Sequence, residues 1–239
     1  METIMDREYV LLAVIDRLRI VRGTDAAWLA GYTDYTYCRK CLRKLCGMGL
    51  LQICRDSAGP NCYYLSGRGL AVLGKQTSHT YEVSYTTHHA LVVGRVCAWL
   101  RITEEASPGE LLTDSVLRCK GDKQRHRPDI VFRGCAYEVE LNHKPLSLLE
   151  KNIRDNSNYQ KQIWITPDNR PSIARNLNNC AQRVGVRIQT IPLVEIEKQV
   201  EAADIHKNKR DTGAWDEIES VVSIPATHSM SKYTSYFKK

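Results

Sequence analysis

The sequence predicts a mixed α+β chain of two domains, and three observations carry that reading. Apolar residues recur mostly at three- and four-residue steps from Tyr9 to Val21, the stripe of an amphipathic helix. Two strand-like runs, Leu50 to Arg55 and Cys62 to Ser66, flank the turn-forming Asp56-Ser57-Ala58-Gly59-Pro60-Asn61. From His88 onward the segments follow in the order helix, three strands, helix, strand, helix, strand. At 239 residues, 43% hydrophobic and 26% charged, the chain has room for a real core, which excludes wholesale disorder and fibrous repeats.

The first helix ends near Gly23. Thr24 is placed to cap a short second helix through Ala26, Ala27, Trp28 and Leu29, which Gly31 closes. A third helix, Thr33 to about Met48, puts Cys38, Leu42 and Leu45 on one side and Arg39, Lys40, Arg43 and Lys44 largely on the other. Cys38 and Cys41 form a CxxC, but inside a helix, on its apolar side and without a second CxxC or a His pair at finger spacing, they read as buried thiols rather than metal ligands.

Three helices followed by a hairpin is the order of a winged helix-turn-helix. Tyr64-Leu65-Ser66-Gly67-Arg68-Gly69, then Leu70 and Leu73, resemble that family's closing strand and following helix. The resemblance covers roughly residues 6 to 75. It implies that the third helix enters the major groove of double-stranded DNA, with Tyr35, Thr36, Arg39, Lys40, Arg43 and Lys44 as contacts. Arg39 and Arg43 are the expected base readers, and Arg55 and Arg68 the cations of the wing. The net charge of +7, Lys+Arg 34 against Asp+Glu 27, suits such a polyanionic partner.

The polar stretch Lys75 to Thr87 sets a boundary near residue 80, so the expected domains are 1–79 and 80–200, followed by a basic tail over 201–239. In the second domain, Leu91, Val92, Val96, Trp99 and Leu100 stripe a helix from His88 to Arg101. Strands are expected over Glu110 to Lys120, Ile130 to Phe132, Cys135 to Leu141, Gln162 to Thr166 and Val186 to Pro192, and helices over Pro145 to Asn156 and Pro171 to Arg183.

The chemistry concentrates in His126-Arg127-Pro128-Asp129-Ile130-Val131-Phe132 and in Ala136-Tyr137-Glu138-Val139-Glu140-Leu141-Asn142-His143-Lys144. Asp129 begins one strand, while Glu138 and Glu140 alternate on the next and share a face. Carboxylates converging at strand ends suit a hard cation such as Mg2+ or Mn2+, which can activate water and neutralise a phosphodiester transition state.

This arrangement resembles the PD-(D/E)XK nuclease superfamily, restriction-endonuclease-like α/β folds, over about residues 88 to 193. The resemblance implies Asp129 and Glu138 as metal ligands, with Glu140 standing where the superfamily carries lysine. Lys144, four residues on, is a substitute able to reach back toward the site. The winged helix joined to Arg-Pro-Asp, Tyr-Glu-Val-Glu-Leu, Lys144, Leu148, Leu149, Lys151 and Tyr159 looks like the replication-relaxation family and related MobC-type plasmid relaxases. That likeness implies a nicking relaxase at a plasmid transfer or replication origin, working with other mobilization or replication proteins. It adds His88 and Glu110 to the catalytic set.

A relaxase of the HUH type needs two histidines around an apolar residue, and the chain has only the adjacent His88-His89. A metal-activated water and a tyrosine-linked cleavage are both compatible with the twelve tyrosines. The competing class is a noncatalytic DNA-binding regulator that keeps the nuclease fold as a platform. The most apolar stretch, Ala90 to Leu100, carries Arg95 and is too short to span a bilayer, and Met1 to Glu8 lacks the pattern of a signal peptide. The expected location is the cytoplasm, with the nine cysteines as reduced thiols.

Overall fold

The computed structural model describes residues 4–55, 61–76, 81–84, 86–119 and 126–203. The expected wing tip and most of the expected tail fall outside them, as does the Arg55 side chain. The described residues form a mixed α+β fold with two sheets, one in each of two units. The first unit runs to Gly94 and takes in Ser107–Gly109; the described part of the second is Arg95–Ala106 with Glu110–Ala203. The first unit thus ends at Gly94, inside a helix.

In the first unit, α1 (Asp6–Leu18) starts where the Glu8 carboxylate turns back to accept the Met5 backbone N–H at 2.9 Å. Its stripe buries Leu11, Leu12 and Ile15. A strand that the periodicity does not announce, β1 (Ile20–Arg22), follows directly. Next comes α2 (Gly23–Leu29), whose cap position is Arg22 and not Thr24. Gly31, with φ of 70°, makes the left-handed turn after it.

Helix α3 (Tyr35–Gly47) is capped by Asp34, whose Oδ1 accepts the Thr36 N–H at 2.7 Å. Cys38, Cys41, Leu42 and Leu45 are its buried side. The strands β2 (Leu51–Arg55) and β3 (Asn61–Leu65) form an antiparallel hairpin, and β1 pairs with the other edge of β3, giving the order β1-β3-β2. Ser66 then caps α4 (Gly67–Val72) by accepting the Gly69 N–H at 3.1 Å. A Cβ on Gly69 would stand 2.2 Å from the Leu50 carbonyl oxygen, so only glycine lets this helix close on the hairpin.

Helix α5 (Thr87–Thr103) leads into the second unit. The expected long strand over 110–120 is instead the two-residue β4 (Leu112–Thr113) followed by α6 (Asp114–Cys119). Three antiparallel strands result, β4, β5 (Ile130–Phe132) and β6 (Cys135–Val139). Helix α7 (Leu146–Asp155) crosses to β7 (Lys161–Thr166), and α8 (Pro171–Val184) crosses to β8 (Gln189–Pro192), so β6, β7 and β8 run parallel.

Trp164 of β7 packs against Leu149 and Ile153 of α7 and Ile173, Leu177 and Cys180 of α8. Glu138 is opposite Trp164 in the β6–β7 register, so it faces the same helical layer. A last helix, α9 (Leu193–Ala202), occupies the end of the second unit and includes the first residues of the expected tail. Its Val194 N–H is taken by Asp168 Oδ2 at 2.9 Å, a cap from a distant loop.

Candidate functional site

The exposed side of α3 carries Thr36, Arg39, Lys40 and Arg43, spaced at three to four residues, and the helix contains no acidic residue. Two expected contacts leave this face. Tyr35 is half-buried with its hydroxyl over Gly23, where a Cβ would stand 2.9 Å from it, and burial raises its pKa above the ordinary phenol value. Lys44 turns to α1 and pairs with Glu8 at 2.9 Å, Glu8 being only 3% exposed. The pair is local to the first unit because α1 and α3 pack together there. Arg68 is exposed at the start of α4 beside Gly49.

Lys44→Ala strips the charged partner from a buried carboxylate, although Glu8 keeps its bond to Met5. The expected outcome is a loss of about 1 to 3 kcal/mol in a denaturant melt, with DNA affinity of the folded protein unchanged.

In the second unit, Asp129 comes opposite Glu138 one position beyond the paired residues Ile130 and Tyr137. Asp129 Oδ2 accepts the Val139 N–H at 2.8 Å, which fixes the carboxylate to the neighbouring strand. Glu138, 5% exposed, is held through Oε1 by two donors, His126 Nε2 at 2.6 Å and Asn156 Nδ2 at 2.7 Å. Glu140, 2% exposed, lies on the same face, with Lys144 Nζ 2.6 Å from its Oε2.

Charge and burial act together here. Burial raises the Glu138 pKa above the ordinary carboxylate value and Asp129 adds to the rise, against the His126 and Asn156 bonds. Burial likewise raises Glu140, with Lys144 opposing. His126 is pulled down by burial, but its bond to Glu138 and the charges of Glu138 and Asp129 outweigh that, so its pKa is raised.

A raised His126 contributes stability below its unfolded value that is lost as pH rises through its folded value. A raised Glu138 costs stability once it ionises, so both groups act in the same direction. Thermal melts in chelator should therefore decline as pH rises from the ordinary glutamate value of about 4.3 through and beyond the ordinary histidine value of about 6.5. Glu138→Gln should flatten the slope.

Not every expected residue joins this cluster. Glu110 is paired with Arg133 at 3.2 Å, at the far end of β5 from Asp129. His88 is exposed in the first turn of α5, within the first unit. Glu140, expected as a third carboxylate ligand, is ion-paired with Lys144. Two residues beyond the expected set enter: His126, which directly precedes Arg-Pro-Asp, and Asn156, which lies four residues after the buried Asn152.

Among the described residues, no group of three or more His, Cys, Asp and Glu side chains is arranged to hold a metal ion. Two carboxylates across β5 and β6, beside a buried Asn156 Oδ1 with no partner among the described residues, are nevertheless an oxygen donor set of the kind Mg2+ takes together with waters. Among the described residues no helix is long and apolar enough to cross a membrane. No family model, curated protein or solved structure matches the chain.

Proposed function

We propose that the chain binds double-stranded DNA through α3 and carries a nuclease-like site in its second unit, nicking DNA at a plasmid transfer or replication origin in the company of mobilization or replication proteins. The observation that carries the reading is the acid-free cationic face of Thr36, Arg39, Lys40 and Arg43, on the third helix ahead of a hairpin. Three helices ahead of a hairpin, with β1 between the first two, support a winged helix-turn-helix, and α5, β4–β6, α7, β7 follow the order expected of a PD-(D/E)XK core except that α6 stands between β4 and β5.

Asp129 and Glu138 would hold Mg2+ or Mn2+, which when bound supplies an activated water and positive charge at the scissile phosphate. The chain's own part is to hold the two carboxylates still, Asp129 through the Val139 N–H and Glu138 through His126 and Asn156. Lys144, beside Glu140, adds a compact positive charge next to the cluster. In single-turnover cleavage at saturating protein, Lys144→Ala should slow the chemical step with DNA affinity nearly unchanged, because that charge is needed most as the transition state gains charge. Lys144→Arg should restore the rate only in part.

The test is conversion of supercoiled to nicked plasmid by the purified chain with Mg2+ or Mn2+, with EDTA as control. One observation favours a second reading, a noncatalytic DNA-binding regulator: the lysine nearest the triplet is occupied in neutralising Glu140. Tight DNA binding without nicking under either metal would decide for it.

A further inference from the structure

We propose that Asn156, the residue capping the C-terminus of α7, is a positioning residue that orients Glu138 for divalent-cation binding. The inference rests on the nuclease-like reading. Asn156 is fully buried, and its backbone N–H is fixed on the Asn152 carbonyl at 3.1 Å, so its side chain projects from a rigid point of the helix. Its Nδ2 donates to Glu138 Oε1 at 2.7 Å. The amide must face that way round, because the reverse would set Oδ1 against a carboxylate oxygen.

Two features separate this contact from ordinary packing. His126 and Asn156 both act on the same oxygen, Oε1, and two donors on one oxygen stop the carboxylate from rotating. The same amide group that bonds Glu138 carries an Oδ1 that is buried with no partner among the described residues, and a buried amide oxygen without a partner is costly. An acceptor left open at that point suits a cation or its bound water. Helix α7 thereby sets the geometry of a strand β6 carboxylate, the role that outer hydrogen-bond partners play at metal sites.

The test is Mn2+ binding by the full chain, followed by calorimetry or electron paramagnetic resonance, with a circular dichroism melt of each variant. Wild type should bind Mn2+ and Glu138→Gln should lose binding. Asn156→Ala should remain folded and bind about 10- to 100-fold more weakly, the usual effect of removing an outer partner. If Asn156→Ala does not fold, Asn156→Ser keeps a small polar group there, cannot span to Oε1, and is expected to show the same weakening. A folded Asn156 variant that binds Mn2+ as wild type does, while Glu138→Gln does not, would overturn this inference and leave the nuclease-like reading standing. Wild-type protein that fails to bind Mn2+ would overturn both.

Discussion

Asp129→Asn is expected to abolish divalent-cation-dependent nicking, a drop of about a hundredfold or more, with duplex binding and melting temperature near wild type. Asparagine is the informative choice because of what Asp129 does in the fold. Its Oδ2 takes the Val139 N–H at 2.8 Å, and an amide oxygen can accept the same bond without supplying the negative charge a hard cation needs. Asp129→Ala removes both, so it should cost about 1 kcal/mol of stability besides the activity. Glu138→Gln should match Asp129→Asn in the nicking assay. Unchanged nicking by Asp129→Asn would sink the nuclease-like reading and leave the regulator.

The elements legible in the sequence are those whose signal is local. The stripes of α1, α3, α5, α7 and α8 lie within single runs of residues, and the structure places those helices within a few residues of where periodicity does, save that α1 ends at Leu18 and not near Gly23. What periodicity misses is tertiary. Three residues of β1 are a strand only because β3 pairs with them, and α9 takes its cap from Asp168 rather than from a neighbour. The run 110–120 looks extended, but β4 pairs with β5 only through Leu112 and Thr113, and from Asp114 the chain turns helical.

The site divides the same way. Glu138 and Glu140 share a face because strands alternate, and Lys144 reaches Glu140 from four residues away, both readable from spacing. His126 and Asn156 meet Glu138 only after β6 pairs on one side and α7 packs on the other. Lys44 shows the converse: spacing puts it with the other cations of α3, and Glu8 on a different helix draws it away.

Replacing Arg39 and Arg43 together by alanine should cost more DNA affinity than any other change to the first unit. If each arginine makes a bidentate contact to a guanine edge, the two are worth about 2 to 6 kcal/mol, roughly 30-fold to 20,000-fold in Kd. The effect should fall on the preferred sequence and spare binding to random duplex, since base contacts carry the discrimination and phosphate contacts do not. Lys40→Ala is the contrast: removing one phosphate-binding cation from the same face should weaken all sequences alike and lower the salt dependence by about one counterion. Neither change should move the melting temperature much, because these side chains are exposed, whereas Lys44→Ala should move the melting temperature and leave affinity alone. Titrations at one fixed salt concentration against specific and random duplexes, repeated at a second salt concentration for Lys40→Ala, separate the three patterns. Equal affinity of the double variant and wild type for both duplexes would mean that the cationic face of α3 is only solvated surface, and the DNA-binding reading would fall with it.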